Sequence, residues 1–427
     1  MNRRVVILSA LLVFAVATLV TVIFISRPGE RASGPLLHEA YVWQRKWSQP
    51  VRDAVSQHAT DFTALTWLGA EISWKDKRPQ IARVVVDYGA LAETKRTAGL
   101  ALRIGPYGGP FVANDSAGRY VVEAAATLVA EARMNHIELT ELQIDFDCAE
   151  SKLDGYRIWL EAIQERVAPV PVTITALPSW LDARAFRRLA AVATNYVLQV
   201  HSVERPRSFD APFTLCDPRA ASQAVEQAGR IGVPFRVALS TYGYLLAFDP
   251  AGKFLGLSAE GPRPNWPTNA QIREVSSNPI ELAALVQSWA HNRPAPMRGV
   301  IWYRLPTIVD NFNWRWPTLS AMLAMRVPQE KFRVNTRRVE SGLVEISLAN
   351  EGELDISSRL AVEVRWSNAR LVAGDALRDF ELADNSTSVA RFQTRSQSSR
   401  IRAGESLVLG WLRFDQDCEV RCELKKL

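Results

Sequence analysis

From Gln143 to Glu150 the chain reads Gln-Ile-Asp-Phe-Asp-Cys-Ala-Glu. Side chains alternate between the two faces of a strand. Gln143, Asp145 and Asp147 therefore share one face, and Ile144 and Phe146 the other. Two carboxylates this close repel, so one proton is shared and one pKa is raised. A raised carboxyl pKa is what a general acid needs. Glu150 follows just past the strand, within reach of whatever the pair faces. The bland alternative is that a buried Asp on this strand simply bonds backbone groups or an arginine such as Arg103.

The pair needs a scaffold that points polar residues inward and apolar ones outward. Short apolar strands alternate with amphipathic helices from Ala40 to about Arg326. The strands read as Ala40–Gln44, Ala64–Leu68, Arg83–Tyr88, Leu100–Ile104, Leu142–Asp147, Val172–Leu177, Tyr196–Val200, Phe235–Thr241 and Val300–Leu305. Several are continuously apolar or β-branched, as parallel strands buried on both faces are. Tyr156, Trp159, Leu160, Ile163 and Val167 repeat at helical spacing, as do Leu282, Leu285, Val286 and Trp289. Asn278, Pro279 and Glu281 read as N-cap, N1 and N3 of a helix. Asp154 and Asp182 are candidate caps as well. Repeated strand–helix units of this number favour a (β/α)8, TIM-like barrel over an open sheet. Nine strands for eight places imply one extra strand, in a hairpin between Ala64 and Tyr88. Past Pro328 the helical period disappears. Leu343–Ala349, Leu360–Trp366, Ser388–Phe392 and Ser406–Phe414 alternate apolar and polar residues, which predicts a small β-sandwich.

In a barrel of this kind active sites lie at the C-terminal ends of the strands. Arg103, Gln199, His201 and Arg304 are polar residues expected to face that mouth. Of thirteen tryptophans, eleven lie between Trp43 and Trp316. Trp43, Tyr107, Trp180, Tyr242 and Trp302 sit at or just beyond strand ends. There they can stack on sugar rings or equally pack the core. Gly105-Pro106-Tyr107-Gly108-Gly109-Pro110 reads as a loop over the mouth, without the residues of a phosphate loop.

The Asp145-Phe146-Asp147 strand, followed by a helix opening at Tyr156, resembles the fourth strand of glycoside hydrolase family 18. Tyr196–Ser202, Phe235–Gly243 and Gly299–Leu305 resemble its sixth, seventh and eighth strands. The stretch from Tyr41-Val42-Trp43 to Trp314-Arg315-Trp316 also resembles a bacterial family catalogued only as domain of unknown function 3142. The family 18 resemblance implies that Asp147 orients or polarises a substrate group and that Asp145 tunes it. It also puts the catalytic acid two residues past the last Asp, where this chain has Ala149. Glu150 lies one residue late, Leu142 replaces the first Asp of the signature, and His201 stands where the family has a substrate-contacting Tyr.

The N-terminus bears on location. After Arg3 and Arg4, an apolar run of 21 residues extends from Val5 to Ile25. As a helix it spans roughly 30 Å, the thickness of a bilayer's hydrocarbon core. An uncleaved signal anchor over residues 1–26 is favoured over a cleaved signal peptide or a buried helix. A tether over 27–38, the barrel over 39–328 and the sandwich over 329–427 would follow, with the body in the periplasm or cell exterior. Residues 1–31 account for half of the net charge of +6. The remainder is small and evenly spread, which argues against nucleic acid. Neither CxxC nor HExxH occurs, and with five histidines no metal site is expected. No GxGxxG or P-loop motif is present, and no cofactor is expected. Cys418 and Cys422 could close a local disulfide, whereas Cys148 and Cys216 read as buried thiols.

Three functions fit. One is a glycoside hydrolase acting on an envelope or extracellular polysaccharide, with Asp145, Asp147 and Glu150 as its carboxylates. The second is a non-catalytic glycan-binding or scaffold protein on a degenerate hydrolase barrel. The third is an interaction module whose barrel displays the sandwich. The first requires Glu150 and Asp147 to face one groove lined by Trp180, Tyr242 and Trp302.

Overall fold

The computed structural model describes residues 29–427 except 77, 203–205, 260–263, 357–358 and 396–399. The apolar run expected as a membrane anchor lies outside the described residues. Among the described residues no helix is long and apolar enough to cross a membrane.

Eight parallel strands close into a barrel. They are β1 (Leu37–Val42), β2 (Ala64–Lys75), β3 (Thr97–Ile104), β4 (Leu139–Phe146), β5 (Val172–Ala176), β6 (Tyr196–Gln199), β7 (Phe235–Ser240) and β8 (Met297–Tyr303). Each pairs with its sequence neighbour, and β8 and β1 pair to close the ring. A helix follows every strand, from Gln49–His58 after β1 to Trp316–Leu323 after β8. The outward faces of the strands and the inner faces of the helices form one continuous apolar layer that includes Ile144, Phe146, Tyr156, Trp159 and Leu160. Asn278 caps its helix as expected, its side chain accepting from the Ile280 and Glu281 backbone N–H groups. Asp154 and Asp182 do not cap. Lys152 and Ala183 hold those positions without side-chain bonds, and Asp154 instead pairs with Arg188 at 2.8 Å.

The extra strand is Arg78–Arg83, which returns antiparallel along β2 and forms the outer edge of a hairpin. The strand expected over Arg83–Tyr88 is therefore displaced. Tyr88 opens the helix Tyr88–Glu93, whose cap Asp87 accepts from the Ala90 N–H. The stretch expected as a tether is also partly fixed. Ala295 N–H donates to Glu30 O at 2.8 Å, Gly34 N–H donates to Ala290 O at 2.8 Å, and Arg31–Ala32 pairs with Arg293–Pro294. The chain is thus bound to the barrel from Glu30 onward, at the end where β8 begins.

Between β7 and its helix the chain inserts a three-stranded antiparallel flap, Gly243–Phe248, Phe254–Ser258 and Gln271–Ser276. Beyond the barrel, two four-stranded antiparallel sheets face each other. One holds Phe332–Glu340, Leu343–Asn350, Leu371–Ala376 and Ser406–Phe414, and the other Leu360–Trp366, Phe380–Asn385, Val389–Thr394 and Val420–Lys426. Val344, Ile346, Leu348, Val362, Val364 and Phe392 fill the space between them. Their alternation is what the sequence pattern predicts for a sandwich. Cys418 and Cys422 are both free thiols, so the disulfide weighed from their spacing is not formed. Cys148 and Cys216 are buried, as expected.

Candidate functional site

The inside of the barrel is a column of polar side chains. At its floor Arg236 of β7 reaches Glu39 of β1 and Glu141 of β4, the latter at 2.7 Å. Thr173 and the Gln143 amide also donate to Glu141, each at 2.6 Å. Burial pushes the Glu141 carboxyl up, but Arg236, Thr173 and Gln143 more than offset this and hold it below its ordinary value. Glu39 has fewer partners, and there burial wins and raises it. One level higher, Tyr41 O–H donates to Gln143 Oε1 at 2.6 Å. Above that lies Asp145, whose Oδ1 accepts from Thr175 at 2.9 Å.

The column opens into a cavity of about 540 Å³ at the C-terminal ends of the strands. Its wall includes Trp43, Arg103, Asp145, Asp147, Gln199, His201, Tyr242 and Arg304 from the sequence reading. Tyr41, Arg45, Tyr244 and Tyr303 also line it. Arg103 bridges toward two carboxylates at arm's length, Asp145 at 3.9 Å and Glu71 at 4.0 Å. Among the described residues no hydrogen bond reaches its guanidinium, so its donors face the cavity open to a ligand. Arg45 is held by both oxygens of Glu71, and Arg304 by Asp310 at 2.5 Å.

Burial raises Asp145 to about 6, and the neighbouring Asp147 charge adds to the rise against the pull of Arg103 and the Thr175 hydrogen bond. Asp147 is also raised, by burial, against the pull of Arg103. The two titrate as a pair. His201 is pushed down to about 3 by burial and is neutral. Its Nδ1 meets Tyr242 O–H at 3.1 Å, Tyr242 meets Tyr244 at 2.9 Å, and Tyr244 meets Ser202 at 2.7 Å. This chain of hydroxyls stiffens one wall. The same wall continues through Tyr303, whose ring meets Tyr242 at 5.6 Å and His201 at 5.5 Å, to Tyr41 and Trp43, the three packing ring to ring at 5.1–5.7 Å.

Because Asp145 is raised, the folded state binds a proton that the unfolded state releases near pH 4. Stability is therefore lost as pH rises from about 4 through about 6. Asp145→Asn keeps an acceptor for Thr175 and removes the buried charge. It should raise stability at pH 7, by on the order of 1–3 kcal/mol, and change it little at pH 4. Denaturant melts at the two pH values check this.

Four expected site residues lie elsewhere. Glu150 is exposed, opening a short 3-10 turn, Glu150–Lys152. The strand ends at Phe146 and the chain turns at once, with Cys148 N–H bonding back to Phe146 O at 2.9 Å. That turn carries Glu150 away from the cavity, and Ala149 lies where the acid was sought. Trp180, in the turn Pro178–Trp180, is buried against Phe186. Trp302 is on the outward face of β8, its indole N–H bonded to His38 Nδ1 at 3.1 Å. The inward place belongs to its neighbour Tyr303. Tyr107 stacks on Trp74 and Trp159, at 4.3 and 5.0 Å, outside the mouth. The groove expected from Glu150, Asp147, Trp180, Tyr242 and Trp302 thus does not form as such. Position at a strand end suggested Trp302, whereas the phase of β8 turns Tyr303 into the cavity.

Compared with known families, residues 112–308 match the model of a domain of unknown function, DUF3142. This is the family that the flanking tryptophan motifs resemble, though the matched part is shorter than the stretch from Tyr41 to Trp316. The DUF3142 segment runs from just after β3 to just after β8 and so includes Asp145 and Asp147. Residues 333–415, in the sandwich, match a second domain of unknown function, DUF8456. No curated protein matches the chain. Among solved structures it is similar to the spore cortex-lytic enzyme SleL of Bacillus cereus, at 11% identity and a TM-score of 0.48 over 69% of this chain and 75% of that one. It is also similar to the C-terminal domain of a putative chitinase from Desulfitobacterium hafniense, at 11% identity and 0.48 over 68% and 98%. A chitinase from Chromobacterium violaceum gives 16% identity and 0.44 over 68% and 100%.

Proposed function

We propose that the barrel mouth binds a glycan of the cell envelope and does so without cleaving it. The observation that carries this reading is the composition of one cavity wall against the other. Aromatic rings of Trp43, Tyr242 and Tyr303 stand across the barrel from Asp147 and Arg103, with Gln199 on the strand between, in a pocket of about 540 Å³. That size and mixture suit a ligand with apolar ring faces and hydroxyl edges. Asp147 accepts from sugar hydroxyls while Arg103, held only by long ion pairs to Asp145 and Glu71, donates to ring or carbonyl oxygens.

Hydrolysis by two carboxylates needs an acid and a second group on either side of the scissile bond. Among the described residues the carboxylates lining the cavity are Asp145 and Asp147. Asp145 stands on β4 and Asp147 just past its end, two residues on, so their backbones are at most about 7 Å apart. The raised pair favours a second reading, in which Asp147 itself gives the proton. Incubating the full chain with envelope polysaccharides, and scoring both retention and new reducing ends, separates the two. Retention with no reducing ends is expected, and release of reducing ends from wild type but not Asp147→Asn would establish the second.

The N-terminal apolar run holds this body at a membrane in the same reading. Ser26–Gly29 alone separates it from Glu30, where the chain joins the barrel. At no more than about 3.6 Å per residue, the end of the barrel opposite the mouth lies within roughly 15 Å of the bilayer surface.

A further inference from the structure

We infer that the β-sandwich braces the barrel mouth, and that Arg400 and Arg402 set the positions of the cavity walls from outside. Arg402 donates to two backbone carbonyls of the loop after β8, Asp310 O at 2.6 Å and Asn311 O at 3.0 Å. The side chain of that same Asp310 holds the cavity arginine Arg304 at 2.5 Å and accepts from Thr307 N–H at 2.8 Å. Arg304 is fixed at its backbone too, through Thr241 Oγ1, and Trp314 N–H closes the loop onto Thr241 O at 2.7 Å. Asp310 is buried, so the loop cannot slide without breaking these bonds together.

Two residues earlier, Arg400 grips the other mouth insertion. Its Nη1 meets Glu274 of the flap at 2.7 Å, and the flap's first strand carries Tyr244 into the cavity. Both arginines are themselves held. Arg400 is paired with Asp355 of the sandwich at 2.7 Å, and Asp355 also accepts from Ala403 N–H at 2.8 Å. The Arg402 N–H bonds to Glu405 at 3.0 Å across a turn that Gly404 completes at φ +79°. One sandwich turn thus clamps the two barrel segments that supply Arg304 and, beside it, Tyr242 and Tyr244 to the cavity. Arg402 acts through Asp310, so it is a positioning residue. Its effect on affinity rests on the cavity being the glycan site proposed above.

Hydrogen exchange of the full chain tests the brace independently of any glycan. In Arg402→Ala the amides of Asp310 and Trp314 should exchange at least about tenfold faster, with the amides of β3–β5 unchanged. Arg402→Lys, which keeps the charge and a donor, should restore part of that protection. Unchanged exchange in the loop in Arg402→Ala would overturn the inference. Should Arg402→Ala not fold, Arg402→Lys and Arg400→Gln carry the same comparison, with faster exchange expected in the loop for the first and in the flap for the second. The polysaccharide retained by wild type then supplies the site readout. Arg304→Gln and Arg402→Ala should each weaken binding several-fold, and the double variant should lose no more than the worse single one. Full additivity would show that Arg402 does not act through Arg304. Polysaccharide that wild type fails to retain would refute the glycan reading and leave the exchange result to decide the brace.

Discussion

Arg236→Met should destabilise the protein by about 3–5 kcal/mol at pH 7, the cost of leaving buried charge without its partner. Arg236 joins β7 to β1 and β4 across the barrel floor through Glu39 and Glu141. All three side chains are at most 11% exposed there. Methionine fills the volume but leaves two carboxylates facing each other in a site that water scarcely reaches. The loss should shrink as pH falls. In wild type, Glu141 is held below its ordinary value, so its contribution is present at neutral pH and is lost on acidification through the folded-state value. In the variant both carboxyls are raised, and protonation relieves them. Adding Glu39→Gln and Glu141→Gln should recover much of the difference. Chemical denaturation at pH 7 and pH 4.5 checks all of this, and a loss under 1 kcal/mol at pH 7 would mean that the triad is not the keystone of the floor.

Asp147→Ala should weaken glycan retention about 10–100-fold, the equivalent of one charged hydrogen bond at about 1.5–3 kcal/mol. Asp147 is the exposed member of the pair and projects where the column opens. Asp145 sits deeper, already bonded to Thr175, and Asp145→Asn should change affinity far less. Removing Asp147 also removes a charge that raises Asp145, so the Asp145 pKa should fall in the variant. Titration of the carboxyl by NMR reads that fall directly. Equal binding by wild type and Asp147→Ala would detach the polar wall from the ligand.

The barrel was legible because its signal is local. Period-2 strands and period-3.6 helices alternate, and the side of β4 that faces inward follows from Gln143, Asp145 and Asp147 alone. Phase was legible only where the strand continues. The turn after Phe146 breaks it, and with it the expectation for Glu150. Tryptophans at strand ends serve two layers equally well. Trp43 faces the cavity, while Trp180 and Trp302 fill the layer beneath the helices, and the residue type is the same in both. Glu141 went unread because the strand seemed to begin at Leu142, although it begins at Leu139. The floor triad and the sandwich clamp unite residues 95 to 197 positions apart in the first case and 91 to 126 in the second. Nothing in local pattern links Arg402 to Asp310. Only the closed fold brings them together.

Carboxyl and aromatic footprinting of the full chain, with and without saturating polysaccharide, locates the site most directly. Asp147, Trp43 and Tyr303 should become protected on binding, while Glu150 and Tyr107 keep their unliganded reactivity. Protection at Glu150 and Tyr107 with Asp147 and Trp43 unchanged would place the ligand outside the barrel mouth and contradict the account.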